Sequence, residues 1–230
     1  MKKVMKKVMK VCVAGIVSIS MLGACSFGKK EEPRNAALLI GGEQSLKGIV
    51  NQHKSEIKTN TLYKVKQAEI DGKQVLMMDQ KTAKKMVGLG VLRESDNDDE
   101  VWSSDPIKSV PSVPKGKAVL LASKKNKKIK ELTINEKKID VQYASDTWFG
   151  HYRNPNYEEL IVIVDNATFN QIPVNETSME ILHFNKLYGE DRPYNTDDVT
   201  AVQAETEWKK LTKTMGSQVD VLDAVSIIKK

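Results

Sequence analysis

LIVIV, residues Leu160 to Val164, is the most hydrophobic run of the chain outside its first 25 residues. An uninterrupted apolar run of five residues is typical of a strand that is buried on both faces, because a strand with one exposed face alternates polar and apolar side chains. We therefore expect this run to be the central strand of a sheet. The remaining elements should pack around it.

The residues that follow this run carry helix and strand signals. Asp165-Asn166 can cap a short helix over residues 167–172, and Pro173 cannot continue that helix. The apolar residues of 179–184 predict the next strand. A strand, a capped helix and a second strand thus follow one another at the centre of the predicted fold.

Residues 196–216 predict the longest helix. Thr196 is the expected N-cap, acidic residues fill the first turn, lysines lie near the end, and Gly216 is the expected stop. The apolar residues recur at helical spacing and indicate one buried stripe. That stripe consists of Ala201, Ala204, Trp208 and Leu211. Residues 219–228 then predict a last apolar strand or helix.

Two hairpins are predicted before the central run. Residues 62–79 turn at Asp71-Gly72, a strong two-residue turn signal, and residues 131–143 turn at Asn135-Glu136. Apolar spacing and glycines predict four further elements. They are a strand at 36–40, a helix at 43–57, a short helix at 80–88 and a strand at 117–122.

These elements predict an α+β fold with a mixed or antiparallel sheet, hairpins and two to four helices. Three prolines, Pro106, Pro111 and Pro114, lie within nine residues of one another. Such a cluster is typical either of a linker or of an extended crossing. The segment 106–114 is therefore a possible boundary between two small lobes.

The first 25 residues have the composition of a secretory signal. A lysine-rich start precedes an apolar segment from Val11 to Leu22, and the small residues Gly23 and Ala24 stand before Cys25. The sequence Leu22-Gly23-Ala24-Cys25 resembles the lipobox of bacterial lipoproteins. That resemblance implies cleavage between Ala24 and Cys25 and attachment of a diacylglycerol to the Cys25 thiol. The alternatives are a transmembrane helix, for which the segment is too short, and a buried helix, which five preceding lysines do not favour.

The lipobox resemblance defines the expected domains. Residues 1–24 are the cleaved signal peptide, residues 25–35 a charged tether, and residues 36–230 an extracellular domain. Lipid on Cys25 would hold the protein on a membrane without crossing it. We expect the outer face of the cell membrane, and the short tether together with the lack of disulfides favours a Gram-positive cell.

Charge and cysteine content exclude several functions. The whole chain has net charge +6, and subtracting the five lysines of residues 1–24 leaves about +1, so no nucleic-acid partner is expected. Cys12 leaves with the signal and Cys25 carries lipid, so no disulfide or thiolate metal site remains. The three histidines lack metal-ligand spacing. The acidic residues of 94–100 lack the pattern of an EF-hand and indicate a solvated loop.

One loop has the composition of a recognition surface. Residues 148–157 are rich in aromatic side chains, and Trp148, Phe149, Tyr152 and Arg153 are the candidate contact residues. Tryptophan, tyrosine and arginine provide large contact areas at low entropic cost. The alternative is that this loop folds back as a lid over the core.

The sequence contains no nucleophile elbow, phosphate-binding glycine loop or dinucleotide fingerprint, so neither an enzyme nor a cofactor is expected. Four pieces, residues 70–79, 113–122, 133–143 and 161–172, resemble the extracellular domain of FtsX-like, MacB-type ABC permeases. The chain lacks the four transmembrane helices of those permeases. The resemblance therefore implies a freed, lipid-anchored ectodomain used for binding.

The expected function is thus a non-catalytic surface lipoprotein that binds a peptide, an envelope component or an ABC-permease partner. Two alternatives remain open at this point. The first is a solute-binding lipoprotein of an importer, which predicts two lobes hinged at residues 106–114. The second is an envelope hydrolase.

Overall fold

The run LIVIV lies in the middle of a large sheet. The computed structural model describes residues 34–95, 104–113, 116–150, 160–189 and 197–228. Within these ranges all five residues from Leu160 to Val164 form one strand, and none is more than 1% exposed. The prediction of a central strand buried on both faces is therefore confirmed.

The described residues form twelve strands and four α-helices. In chain order they are β1 Ala36–Gly41, α1 Glu43–Gln52, β2 Ile57–Ile70, β3 Lys73–Asp79, α2 Gln80–Leu89, β4 Leu92–Ser95, β5 Ser104–Pro106, β6 Ala118–Ala122, β7 Glu131–Ile134, β8 Lys137–Ser145, β9 Thr147–Phe149, β10 Leu160–Val164, α3 Asn166–Gln171, β11 Glu176–Phe184, α4 Val199–Gly216 and β12 Val221–Val225. A short 3-10 helix, Lys124–Asn126, follows β6.

The strands form a nine-stranded mixed sheet and a small antiparallel sheet. The large sheet has the order β12-β1-β11-β2-β3-β10-β6-β8-β7, and the small one β5-β4-β9. Strand β10 is parallel to β3 and antiparallel to β6. The predicted α+β class with a mixed sheet, hairpins and up to four helices is thus confirmed.

The possible lobe boundary at residues 106–114 does not divide this sheet. Strands β1, β2 and β3 come from before that segment, and they alternate with β10, β11 and β12 from after it. Hydrogen bonds between β11 and both β1 and β2 join the two parts of the chain. Among the described residues the chain thus crosses back into the same sheet after these prolines, and the division into two lobes stays a prediction.

Helices cover both faces of the large sheet. One face packs against α2 and the small sheet, through residues such as Met86 and Phe149. The other face has two separate cores. Helices α1 and α4 cover the β1–β11 side, whereas α3 and the hairpin β7–β8 cover the β3–β10–β6 side. No helix among the described residues has the length and hydropathy to cross a membrane.

The ends of several elements follow from local chemistry. Gly90 has φ +75° and its N–H donates to the carbonyls of Met86 and Val87, which closes α2. Both hairpin turns contain positive φ angles, at Asp71-Gly72 and at Asn135-Glu136. Helix α1 ends at Gln52, five residues before the predicted end, because β2 begins at Ile57.

Helix α4 begins later than its sequence predicts. Its N-cap is Asp198, whose Oδ1 accepts hydrogen bonds from the N–H groups of Thr200 (2.9 Å) and Ala201 (3.1 Å). The predicted cap, Thr196, lies outside the described residues. The buried stripe consists of Trp208, Leu211 and Met215, and the two predicted alanines are only half-buried. The last apolar segment is the strand β12.

Candidate binding groove

Strand β2 has one edge that is only partly paired. Its first ten residues pair with β11, but β3 pairs with β2 only from Lys66 to Ile70. Among the described residues, no strand pairs with the other edge of Ile57–Val65. In an antiparallel pair the N–H and C=O groups of alternate residues point away from the partner strand. A row of backbone donors and acceptors therefore faces this open edge.

The open edge exists because β3 ends beside the middle of β2. Asp79 closes β3 and caps α2, since its Oδ1 accepts the N–H of Thr82 at 2.7 Å. The neighbouring parallel strand β10 ends at Val164, and the next residue, Asp165, caps α3 by accepting the N–H (2.9 Å) and the hydroxyl (2.7 Å) of Thr168. Helix α2 packs on one face of the sheet and α3 on the other. Helices that diverge at the carboxyl ends of parallel strands leave a crevice between them.

A groove of about 820 Å³ lies at this position. Its floor is the segment Thr61–Lys64 of β2, one wall is α2, and Phe169 of α3 lies at one side. Successive residues of a strand point to opposite faces, so a groove that touches four in a row runs along the strand's edge. Its volume is within the range of small-ligand sites, about 300–1,000 Å³. We call it the β2–α2 groove.

The β2–α2 groove is lined by cations. Lys81, Lys84 and Lys85 are exposed on α2, and no ion pair to them occurs in the described part of the chain. Lys64 also lines the groove, and its Nζ lies 2.6 Å from Glu43 Oε2. Asp79 is the only acidic residue among the described lining residues, and its carboxylate is engaged as the cap of α2. The groove therefore has a positive potential that favours anionic ligands.

Tyr63 provides the groove with an aromatic ring and a hydroxyl. Burial raises the pKa of Tyr63, the hydrogen bond with Thr61 opposes that rise, and the negative charge of Glu180 adds to it. The phenol hence stays protonated at neutral pH and can both donate and accept a hydrogen bond. The ring also packs on the core beneath α2.

A second concavity, of about 590 Å³, lies where β2 extends past the start of β11. Its described lining is polar and includes Glu176 and Asp220 but no cation. The β2 edge that β11 leaves unpaired there is only four residues long, Gln67–Ile70, and β7 packs near it. We therefore place the candidate site in the β2–α2 groove.

The predicted contact loop begins in the core. Trp148 and Phe149 belong to β9 and are 7% and 0% exposed, because β9 pairs with β4. These two residues fold over the core, in agreement with the alternative of a lid, and offer little surface to a partner. Tyr152 and Arg153 lie outside the described residues, and their contact role stays a prediction.

The lipidation site and the residues before it, Leu22, Gly23, Ala24 and Cys25, also lie outside the described residues. The first described residue, Arg34, is firmly attached to the domain. Its guanidinium lies 2.7 Å from Glu205 of α4 and 5.4 Å from the ring centre of Trp208. Its backbone exchanges hydrogen bonds of 2.9 Å with Tyr188 and Gly189. In the described ranges, no group of three or more His, Cys, Asp or Glu could hold a metal ion.

Comparison with known proteins identifies the family. No curated protein sequence matches the chain. A crystal structure described as "Putative Lipoprotein from Bacillus anthracis" has a similar fold, with a TM-score of 0.64 and 19% sequence identity. That similarity covers 84% of this chain and 99% of the other. The model of a family described as an uncharacterised lipoprotein family matches residues 34–217. Because this match spans well over half of the sequence, the chain belongs to that lipoprotein family.

Proposed function

We propose that this lipoprotein is held on the outer face of the cell membrane by lipid on Cys25 and acts without catalysis. In this proposal it binds a peptide, an envelope component or a permease partner in the β2–α2 groove. The observation that carries the proposal is the edge of Ile57–Val65, which no other described strand covers and which is bordered by the exposed lysines of α2.

The position of Arg34 supports the proposed anchor. Eight residues separate Cys25 from Arg34, so nine Cα–Cα steps join them, which allows a reach of about 30 Å when the chain is extended. Two apolar side chains are exposed on the segments that contact Arg34. Leu187, beside the Tyr188 that bonds Arg34, is 61% exposed, and Val199 at the start of α4 is 80% exposed. Two acyl chains provide a stable anchor, whereas one provides only reversible binding.

A solute-binding lipoprotein is the second candidate function. The volume of the groove, about 820 Å³, is large enough for a small anionic molecule, and this observation favours the candidate. Native mass spectrometry of the purified protein distinguishes the two proposals. A small molecule that co-purifies and is lost in Lys84→Glu/Lys85→Glu would support the solute-binding function.

Photo-crosslinking in intact cells tests the proposed function. Benzoylphenylalanine is placed at Thr61, which is exposed in the groove, or at Lys213, which is exposed on α4 and serves as the control. We expect a discrete macromolecular adduct from position 61 and not from position 213. We also expect the adduct to diminish in Cys25→Ser, because that variant is not held at the membrane. Identical adducts from both positions, or none from position 61, would contradict the proposal.

A further inference from the structure

We infer that the groove takes an extended polypeptide segment with alternating acidic and apolar side chains, which adds to the open edge of β2 as a new strand. This inference rests on the proposed function, since it specifies the ligand and the binding mode of the same groove. It excludes the envelope polymers and small solutes that the proposed function leaves open.

The backbone of β2 provides the first part of this argument. Within the described part of the chain, the nine residues Ile57–Val65 have a β-strand partner on one side only. Nine residues of strand span about 30 Å, which is long enough to pair with an added segment of seven to nine residues. An added strand supplies the missing backbone partners, and this interaction is the main source of affinity in strand addition. Small molecules and glycans cannot provide a matching row of amides.

The spacing of the lysines provides the second part. Lys81 and Lys85 are four residues apart on α2, so they lie on one face of the helix with a separation of about 6 Å along its axis. Side chains on one face of a strand repeat every two residues, or about 6.7 Å. Acidic residues at alternate positions of an added strand would therefore lie opposite successive lysines. Gly88, one turn further on, leaves open space, because a Cβ built there meets no atom within 4 Å.

The opposite face of the groove provides the third part. Lys64, which is ion-paired with Glu43, lies on this face together with Leu62 and Phe169, and the latter two are apolar. The side chains of an added strand that do not face α2 would face these two residues. A segment of alternating acidic and apolar residues thus matches both walls, whereas a uniformly acidic segment would leave carboxylates against Phe169.

Peptide binding to the lipidated full chain in phosphatidylcholine nanodiscs tests the inference. The probe is the fluorescein-labelled octapeptide (Glu-Val)₄, and the measurement is fluorescence anisotropy. We expect saturable binding, with no binding of (Lys-Val)₄. Two further peptides carry N-methyl groups on alternate backbone nitrogens. The first is methylated at the odd-numbered residues and the second at the even-numbered residues. Only one of them should lose affinity, by about tenfold or more, since only one set of amides faces β2.

Variants of the chain locate the binding. Lys84→Glu/Lys85→Glu should weaken binding of (Glu-Val)₄ by about tenfold or more. Gly88→Leu should weaken it by filling the groove, without loss of fold, since leucine is a better helix former than glycine. The matched control is Lys127→Glu/Lys128→Glu, two exposed lysines remote in sequence from α2, which should bind as the wild type does. Circular dichroism confirms that each variant is folded.

Three results would overturn the inference. Absence of (Glu-Val)₄ binding up to about 1 mM would exclude the ligand class. Equal affinity of both N-methylated peptides would exclude strand addition. Equal loss of binding in the control double variant would exclude the groove as the site. The proposed function is tested separately, by the crosslinked adduct at position 61. Each of these three results can therefore be distinguished from failure of the proposed function.

Discussion

Two units of the molecule share one local design but have different surroundings. In each, an aspartate that is the last residue of an apolar strand or directly follows it caps the next helix through a threonine three residues later. Strand β3, Asp79 and α2 form one unit, and β10, Asp165 and α3 form the other. Their strands are parallel neighbours. The sequence Asp-x-x-Thr therefore sets where each strand ends and each helix begins.

The surroundings of the two helices decide which unit is closed. Strand β10 is paired on both sides, and side chains from other elements bond the end of α3 and the residues after it. Lys66 Nζ lies 2.7 Å from the carbonyl of Ile172, and Asn135 Nδ2 lies 2.7 Å from that of Pro173. Strand β3 instead pairs with β2 only at Lys66–Ile70. The unit of α2 therefore borders the open edge of Ile57–Val65. Similar caps thus occur beside a filled site in one unit and beside a groove in the other.

The largest expected effect concerns the filled unit. Phe169 is 5% exposed, lies in the core under α3, and has Lys66 Nζ 5.1 Å from its ring centre. Phe169→Ala should lower the free energy of unfolding by about 3–5 kcal/mol, because it removes a buried ring and leaves a cavity. Urea unfolding measures the effect. A loss below about 1 kcal/mol would show that α3 is not packed as described.

Lys66 should contribute through its hydrogen bond rather than its charge. The residue is 4% exposed, and its ammonium donates to the carbonyl of Ile172. Lys66→Met keeps an apolar stem but leaves that carbonyl without this donor, so we expect a loss of about 1–3 kcal/mol in the free energy of unfolding. The matched control is Lys85→Met on α2, which is exposed and should change stability by less than about 0.5 kcal/mol. Equal losses of stability in Lys66→Met and Lys85→Met would contradict the contrast between the filled unit of α3 and the open unit of α2.

Both caps should contribute to stability at neutral pH. Asp79→Ala and Asp165→Ala should each cost about 1 kcal/mol. The backbone N–H and the hydroxyl of Thr168 hold the pKa of Asp165 below its usual value. Its stabilising contribution is therefore present above the unfolded-state pKa, about 3.9, and is lost as the pH falls through the lower folded-state pKa. Urea unfolding near neutral pH and near pH 3 measures the effect. The free energies of unfolding of the wild type and Asp165→Ala should differ less near pH 3 than near neutral pH. A difference that widens in acid would contradict this account.

The smallest effect on stability should come from the lysines of the groove. Lys84→Glu/Lys85→Glu should change the free energy of unfolding by no more than about 0.5 kcal/mol per site, because both side chains are exposed. The same variant should lose peptide binding. Urea unfolding measures the role of these lysines in stability, and peptide anisotropy measures their role in binding. A large loss of stability would mean that these lysines hold the fold.

Much of the fold is predictable from short-range patterns. The run Leu160–Val164, the turn at Asp71-Gly72 and the cap at Asp165 each depend on a few neighbouring residues, and the structure has all three. The predicted helix over 43–57 is too long because sequence spacing does not show where β2 begins. The aromatic residues Trp148 and Phe149 suit either a contact surface or a core, and pairing with β4 decides for the core.

The candidate site was not predictable in the same way. The groove depends on the order β11-β2-β3 and on the point along β2 where β3 ends, and both are long-range features. Two signals pointed towards it. One is the repeated Asp-x-x-Thr at residues 79–82 and 165–168, and the other is the run of lysines at helical spacing in residues 81–85. The lipidation of Cys25 stays a prediction from the lipobox pattern.

Amide hydrogen exchange of the unliganded protein, resolved by NMR, tests the open edge most directly. We predict that alternate amides of residues 58–65 exchange much faster than their neighbours, because they face no β-strand partner among the described residues. The amides of Ile161, Val162 and Ile163 should all be protected, since β10 is paired on both sides. Uniform protection along residues 58–65 would show that another segment already covers this edge, and it would contradict the account of the groove as a binding site.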